Sequence, residues 1–296
     1  VTSWSERNIA AQRGRTFVVT GATSGLGEAT ARALGRSGAQ VILAVRDLDA
    51  GEEVARQIGS NADVRKLDLT SLESISAFAS SIDEIDVLIN NAGVMAVPFG
   101  RTSDGFELQI GTNHLGHFAL TGQLLECVRD RVVTVSSSFH SYGAIDLDDL
   151  NWRVRPYSRW LAYAQSKLAN LMFAYELQRR LTNAGSKVRS LAAHPGYTAT
   201  GLQGHTESIQ GHVMALGNML VAQHVRTGAL PVLFAATEPD VAGGDYIGPQ
   251  GFFGMRGSPG PAKSTRASRD PLVARELWNL SESLTSVKFS FNGLMA

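Results

Sequence analysis

The stretch Thr16-Phe17-Val18-Val19-Thr20-Gly21-Ala22-Thr23-Ser24-Gly25-Leu26-Gly27 narrows the folds open to this chain more than any other. A short β-branched, apolar run meets a glycine-rich turn, and helical spacing begins directly behind it. Gly21 permits a tight turn, Gly25 a close backbone approach, and Gly27 close packing of helix on strand. Free N–H groups and the positive helix end suit a pyrophosphate, so Gly21, Ser24, Gly25, Leu26 and Gly27 form a candidate dinucleotide cradle. No Gly-Lys-Ser/Thr ending follows, which disfavours a mononucleotide P-loop. The bland alternative is a structural glycine turn, and the βαβ continuation of the chain weighs against it.

That continuation alternates strand-like and helical segments. Strands are predicted at Thr16–Thr20, Val41–Val45, Val64–Asp68, Val87–Asn90, Val132–Ser136 and Val188–Ala193. Helical spacing fills Leu26–Ser37, Ala50–Ile58, Ser71–Ser80, Phe106–Arg129 and Trp160–Asn183. The early strands are apolar without strict alternation, as in a parallel sheet with helices on both faces. The expectation is one doubly wound α/β domain over 1–296. Leu202–Leu220 is expected to be a substrate flap, because it follows a carboxyl strand end, where open sheets place ligands. A final strand is predicted after the turn at Gly243-Gly244. Gly251–Arg269 then reads as a glycine- and proline-rich loop, and Asp270–Leu284 as a helix packing through Leu272, Leu277 and Leu280. Residues 251–296 thus form a C-terminal extension.

Composition excludes several classes. Lys plus Arg and Asp plus Glu both total 27, which gives no field toward nucleic acid. The single cysteine, Cys127, rules out an intrachain disulfide and reads as a buried apolar residue. No apolar run reaches the length of a membrane span, and no signal peptide is read at the N-terminus. A cytoplasmic location is expected, with Asn279-Leu280-Ser281 an incidental sequon.

The second strand ends in Val45-Arg46-Asp47. Arg46 at the ribose corner can pair with a 2′-phosphate, which favours NADPH over NADH; the alternative makes Asp47 the relevant acid. Asp68, followed by Leu69, either meets adenine or caps a helix. Asn90-Asn91-Ala92-Gly93 supplies a compact turn beside the dinucleotide, with Asn91 free to bond backbone.

Tyr163 and Lys167, one helical turn apart, share a face. An ammonium beside a phenol favours the phenolate, so Lys167 is expected to lower the Tyr163 pKa. Ser136, Ser137 and Ser138 follow a strand, and any one of them can donate to a carbonyl oxygen. Asn113 is an unexpected amide within a helix. His114, His117, His140 and His194 lack zinc spacing and are expected in structural or surface roles. His194 is placed to shape the pocket, and Phe139 or His140 to touch substrate. No metal is expected.

Together Thr20-Gly21-x-x-x-Gly25-x-Gly27, Asn90-Asn91-Ala92-Gly93, Asn113, Val135-Ser136-Ser137, Tyr163-x-x-x-Lys167 and Pro195-Gly196-x-x-x-Thr200 resemble a classical short-chain dehydrogenase/reductase over about residues 13–250. The resemblance implies a Rossmann-like domain with a parallel sheet of about seven strands. It makes Ser137 the carbonyl-orienting serine, Tyr163 the acid/base, Lys167 its partner and ribose contact, and Asn113 a support for a water-linked proton relay. Asp68 and Leu69 would lie near adenine, Asn91, Ala92 and Gly93 beside the dinucleotide, and Pro195, Gly196 and Thr200 at the nicotinamide, with Thr198 an alternative to Thr200. The phosphate turn differs from the Gly-x-x-Gly-x-x-Gly of extended relatives.

The stretch between Ser137 and Tyr163 is about twice what many members of the family place there. With Arg46 and the tail Leu277-Trp278-Asn279-Leu280-Ser281-Glu282, it resembles the retinol-dehydrogenase-like branch. That implies a bulky or lipophilic alcohol or carbonyl substrate. The cofactor expected from Arg46 is NADPH/NADP+, with NADH/NAD+ the alternative, and the family resemblance implies a homodimer or homotetramer as the common assembly of soluble members. The competing reading is a dinucleotide sensor or interaction protein that has lost turnover.

Overall fold

A computed structural model describes residues 4–196, 225–251 and 254–291. The expected flap at Leu202–Leu220, and Thr198 and Thr200, lie outside the described residues. The sheet runs β3-β2-β1-β4-β5-β6-β7-β8. Its strands are β1 (Thr16–Thr20), β2 (Gln40–Val45), β3 (Ala62–Lys66), β4 (Ile85–Asn90), β5 (Val128–Val135), β6 (Arg189–Ala193), β7 (Tyr246–Gly251) and β8 (Arg256–Pro261). Neighbours are parallel from β3 through β7, and β8 is antiparallel to β7. β1 pairs β2 on one side and β4 on the other, so successive crossovers leave in opposite directions there. The chain thereby opens a crevice at the carboxyl ends of β1 and β4.

Successive side chains of β1 serve two cores, as the pleat requires. Phe17 and Val19 pack beneath α1 (Gly25–Arg36) and α2 (Leu48–Ile58), while Val18 joins Ile75, Phe78 and Phe118 on the other face. That second face carries α3 (Leu72–Ala79), α4 (Gly116–Leu124) and α5 (Arg159–Asn183). α6 (Val225–Thr237) covers the first face beside α1, and α7 (Pro271–Thr285) packs on α5. Asp270 caps α7 by accepting from the amides of Leu272 and Val273, with Pro271 in the first turn.

Three expectations are corrected. Phe106–Arg129 is not one helix: a turn at Leu108–Ile110 leads into a π-helical segment, Gly111–Leu115, and then α4. A Cβ on Gly111 would lie 2.5 Å from Thr102 Cγ2, and one on Gly116 would lie 2.5 Å from the Leu69 carbonyl. Those close approaches, on either side of Asn113, set the helix path. The last residues assigned to that helix, Val128 and Arg129, instead open β5.

The glycine- and proline-rich stretch expected as loop contains β8, the eighth strand of the sheet among the described residues, in keeping with the expected sheet of about seven. Proline is tolerated there because β8 is an edge strand. Leu272 is 66% exposed, so it does not pack; Trp278 and Leu277, each 2% exposed, do. Trp278 stacks on Phe173 and meets Phe118 and Phe289 edge-on or tilted.

Candidate active site

The turn after β1 is built by close contact. Gly21 has φ +66° and Gly25 φ +55°, the region glycine enters without strain. A Cβ on Gly27 would fall 2.2 Å from the Gly21 carbonyl and 2.5 Å from Asn91 Nδ2. Asn91 Nδ2 donates to the Thr20 carbonyl (2.8 Å), which locks the β4 turn onto the β1 turn. Asn91 therefore bonds backbone, as expected. Ser24 is the N-cap of α1, yet its hydroxyl makes no capping bond.

A cavity of about 460 Å³ runs along this edge. Gly21, Ser24, Gly25, Leu26, Gly27, Arg46, Asp68, Leu69, Asn91, Ala92 and Gly93 all line it, so the cofactor residues expected before Asn113 converge. The buried Asn91 Oδ1 has no hydrogen-bond partner. A cradle that only glycine backbone permits, an uncommitted hydroxyl at a helix start and this open acceptor fit a dinucleotide. Asp68 does not cap α3, a place taken by Ser71; its Oδ1 accepts from the amide and hydroxyl of Thr70 (2.9 and 2.7 Å). Arg46 is exposed, and its carbonyl accepts from Lys66 Nζ. Pro195 and Gly196 follow β6 outside this lining; the Gly196 amide donates to His194 Nδ1 (3.2 Å).

β5 and α5 bring the reactive residues together. Tyr163 is 6% exposed and Lys167 5%. The three serines after β5 separate by what they touch. Ser136 Oγ donates to the Lys167 carbonyl (2.7 Å), Ser138 is exposed, and Ser137 is the serine whose side chain acts on the Tyr163 phenol, favouring its ionised form. Lys167 Nζ lies 5.8 Å from the Tyr163 ring centroid and donates to the Val135 carbonyl (3.2 Å).

Burial pushes the Tyr163 phenol up to about 12, and the Ser137 hydrogen bond pulls the other way. Burial likewise draws Lys167 down to about 8. Desolvation of the phenolate is thus the larger influence on Tyr163, and the group that opposes it is Ser137 rather than Lys167, from which the lowering was expected.

Asn113, fully buried, spends its side chain on scaffolding. Oδ1 accepts from the Val94 amide (2.8 Å), and Nδ2 donates to the Val94 carbonyl and Ser166 Oγ (both 2.9 Å). Its Oδ1 would lie 3.0 Å, and Lys167 Nζ 3.4 Å, from a Cβ on Gly93, so that glycine keeps the two close. Ser166, unnoticed in the sequence, donates in turn to the Tyr163 carbonyl (2.8 Å). Its position between Tyr163 and Lys167 was the available signal.

His114, His117, His140 and His194 are buried and hydrogen-bonded. His140 Nδ1 meets the Ser137 carbonyl (2.7 Å), and His114 Nε2 meets Ser281 Oγ (3.0 Å). A buried carboxylate also went unnoticed: Glu107 accepts from the amides of Gln109 and Ile110 and from Tyr157 (3.0 Å). Tyr157 belongs to the long segment before α5, so this acid ties that segment to the π-helical one. Phe139 packs on Tyr163 (5.8 Å between centroids) and stacks on Trp160 (5.4 Å). Among the described residues, no helix is long and apolar enough to cross a membrane.

A family model described as short chain dehydrogenase matches residues 15–210. Human retinol dehydrogenase 13 is 41% identical over 293 residues, spanning 93% of this chain and 86% of that protein. Mouse polyprenol dehydrogenase is 39% identical over 286 residues, 90% of this chain and 82% of that protein. An uncharacterised protein from Mycobacterium paratuberculosis superposes with a TM-score of 0.87 at 50% identity, covering 98% of this chain and 100% of that one. A 3-ketoacyl-(acyl-carrier-protein) reductase from Brucella melitensis complexed with NADH shares the fold, with a TM-score of 0.62 at 22% identity, over 79% of this chain and 96% of that one. The cradle and the relatives agree on an oxidoreductase that uses a nicotinamide dinucleotide, NAD or NADP, on alcohol or carbonyl substrates. The chain belongs to the short-chain dehydrogenase family, in its retinol-dehydrogenase-like branch.

Proposed function

We propose that the protein interconverts a bulky, apolar alcohol and its carbonyl with NADP(H), using Tyr163 as acid/base. The observation that carries this reading is that Ser137 acts on the buried Tyr163, whose partner Lys167 lies 3.4 Å from where a Cβ on Gly93 would stand, and Gly93 lines the dinucleotide cavity. A bound NADPH supplies the hydride. Ser137 then donates to the oxygen on which negative charge develops, and Tyr163 gives that oxygen its proton. Lys167 stabilises the phenolate left behind, and the Asn113 main-chain carbonyl, whose side chain is otherwise engaged, holds the water that returns the proton. In the oxidative direction, Tyr163 must first lose its proton.

Arg46, exposed at the cavity edge with Lys66 bonded to its carbonyl, supports NADP(H) over NAD(H). The Phe139–Trp160 stack beside Tyr163 gives an apolar flank suited to a large substrate, and Tyr142 extends it at 5.7 Å from Phe139. Relatives whose names specify retinol and polyprenol support the same class. Pro195, Gly196, Thr198 and Thr200 would complete the nicotinamide end.

The test is a titration of purified protein with NADPH, followed by turnover of all-trans-retinal, decanal and acetaldehyde. Tyr163-dependent turnover that rises with substrate size is expected. Tight NADPH binding without turnover across the panel would instead favour a dinucleotide sensor.

A further inference from the structure

His117 lies on α4 and is 1% exposed, between two residues that are fully buried. Its Nδ1 is 3.0 Å from the Asn113 carbonyl oxygen, and its Nε2 is 2.9 Å from Thr20 Oγ1. A carbonyl can only accept, so Nδ1 must carry the proton. Nε2 then presents a lone pair. The one hydroxyl proton of Thr20 has two acceptors in reach, this lone pair at 2.9 Å and the Ile89 carbonyl at 3.3 Å, and the shorter contact is the one to the ring. Thr20 Oγ1 is meanwhile free to accept the amides of Asn91 and Ala92, both at 2.9 Å. Every donor and acceptor in this chain is matched only if the imidazole is neutral with its proton on Nδ1. Burial acts the same way, drawing His117 down to about 4, with Lys167 adding to the effect.

The two ends of this bridge belong to different parts of the site. Thr20 is the last residue of β1, next to Gly21, and it organises the Asn91-Ala92 turn. Asn113 sits in the π-helical segment, a distortion common at functional sites. We propose that His117 is a positioning residue, whose neutral Nδ1–H imidazole fixes the Asn113 main-chain carbonyl against Thr20 and so registers the proton path on the dinucleotide turn. This rests on the role given to Asn113 under the proposed function. The imidazole holds one lone pair of that carbonyl.

Three variants separate the two ends. An asparagine amide can place its nitrogen near the position of Nδ1, a glutamine amide reaches the position of Nε2, and phenylalanine keeps the volume without either bond. With decanal and NADPH, His117→Phe and His117→Gln should lower kcat by about tenfold, because a proton-transfer group is misplaced. His117→Asn should recover at least about threefold of that loss, with KM for decanal within about twofold of wild type throughout. Urea midpoints of all three variants give the stability change alone. Losses that follow those midpoints, with His117→Asn no better than His117→Phe, would overturn the proposal. So would a change carried by KM.

If Tyr163→Phe leaves turnover intact, the parent reading fails and the imidazole is judged without catalysis. ¹⁵N spectra of histidine-labelled protein should show a neutral Nδ1–H ring whose signals move when NADPH is added. An Nε2–H ring, or signals indifferent to NADPH, would reject the bridge.

Discussion

Lys167 Nζ stands over the face of the Tyr163 ring, 5.8 Å from its centroid, with one donor committed to the Val135 carbonyl. The ammonium is thus held by the sheet as well as by its own helix, and its distance from Tyr163 does not depend on side-chain rotamers alone. If Tyr163 is the proton donor, Tyr163→Phe should reduce kcat/KM with decanal by roughly 10²- to 10⁴-fold. NADPH affinity, followed by fluorescence, should change little, because the cradle glycines are untouched. A variant that keeps more than a tenth of wild-type turnover would exclude the assignment.

Arg46 separates the two cofactors. Arg46→Ala should weaken NADPH binding by about tenfold, the worth of a charge-assisted phosphate contact, and NADH binding far less. Calorimetric titration with both nucleotides decides the matter. Equal losses would mean that Arg46 is only a solvated side chain and Asp47 the residue to examine.

Gly27 tests the cradle as a packing problem. Gly27→Ala would drive a methyl against the Gly21 carbonyl and Asn91 Nδ2. The protein should lose about 1–3 kcal/mol of stability, the usual cost of overpacking, and its affinity for NADPH. Urea denaturation and nucleotide titration measure the two effects separately. Normal nucleotide affinity in a folded Gly27→Ala protein would refute the close-packed turn.

Much of this architecture was legible because it is local. β-branched runs, the glycine turn and the four-residue spacing of Tyr163 and Lys167 are patterns within one segment. What stayed hidden depends on contacts between segments. The break around Asn113 arises from Gly116 meeting Leu69 and Gly111 meeting Thr102, and neither contact is implied by helical periodicity. β8 was obscured by glycine and proline, which a sheet edge tolerates and a sheet centre does not. Leu272 falls off the face of α7 that packs, which runs through Val273, Ala274, Leu277, Trp278 and Ser281, because five residues separate it from Leu277. The raised pKa of Tyr163 reflects burial, which the ammonium's spacing could not reveal.

Four buried histidines shape the acid behaviour, because burial lowers His140 as well as the three whose values follow. Burial draws His114 down to about 3, and His117 and His194 to about 4, from an ordinary value of 6.5. Their folded-state pKa values lie below the unfolded ones, so between these limits the unfolded chain binds more protons. Their contribution is therefore fully present above pH 6.5 and is lost as pH falls toward 4 and then 3. Each ring contributes on the order of 1 kcal/mol per pH unit in that window. Urea midpoints measured from pH 7 to pH 5 should fall steadily, and His194→Gln should flatten the slope. A flat profile in the wild type would show that these rings are solvated.

The antiparallel strand β8 has a consequence for how copies of this protein meet. The Ala262 amide, just past its end, donates inward to the Tyr246 carbonyl. Alternation along the strand then turns the nitrogens of Pro259 and Pro261 toward the outer rim, where neither carries a hydrogen. Along Pro259–Pro261 an approaching extended segment would find acceptors but no backbone donors, and only Gly257 turns an N–H to this rim, so pairing with the sheet is hindered. At this rim the protein is protected against self-templated aggregation by two missing hydrogens rather than by charge.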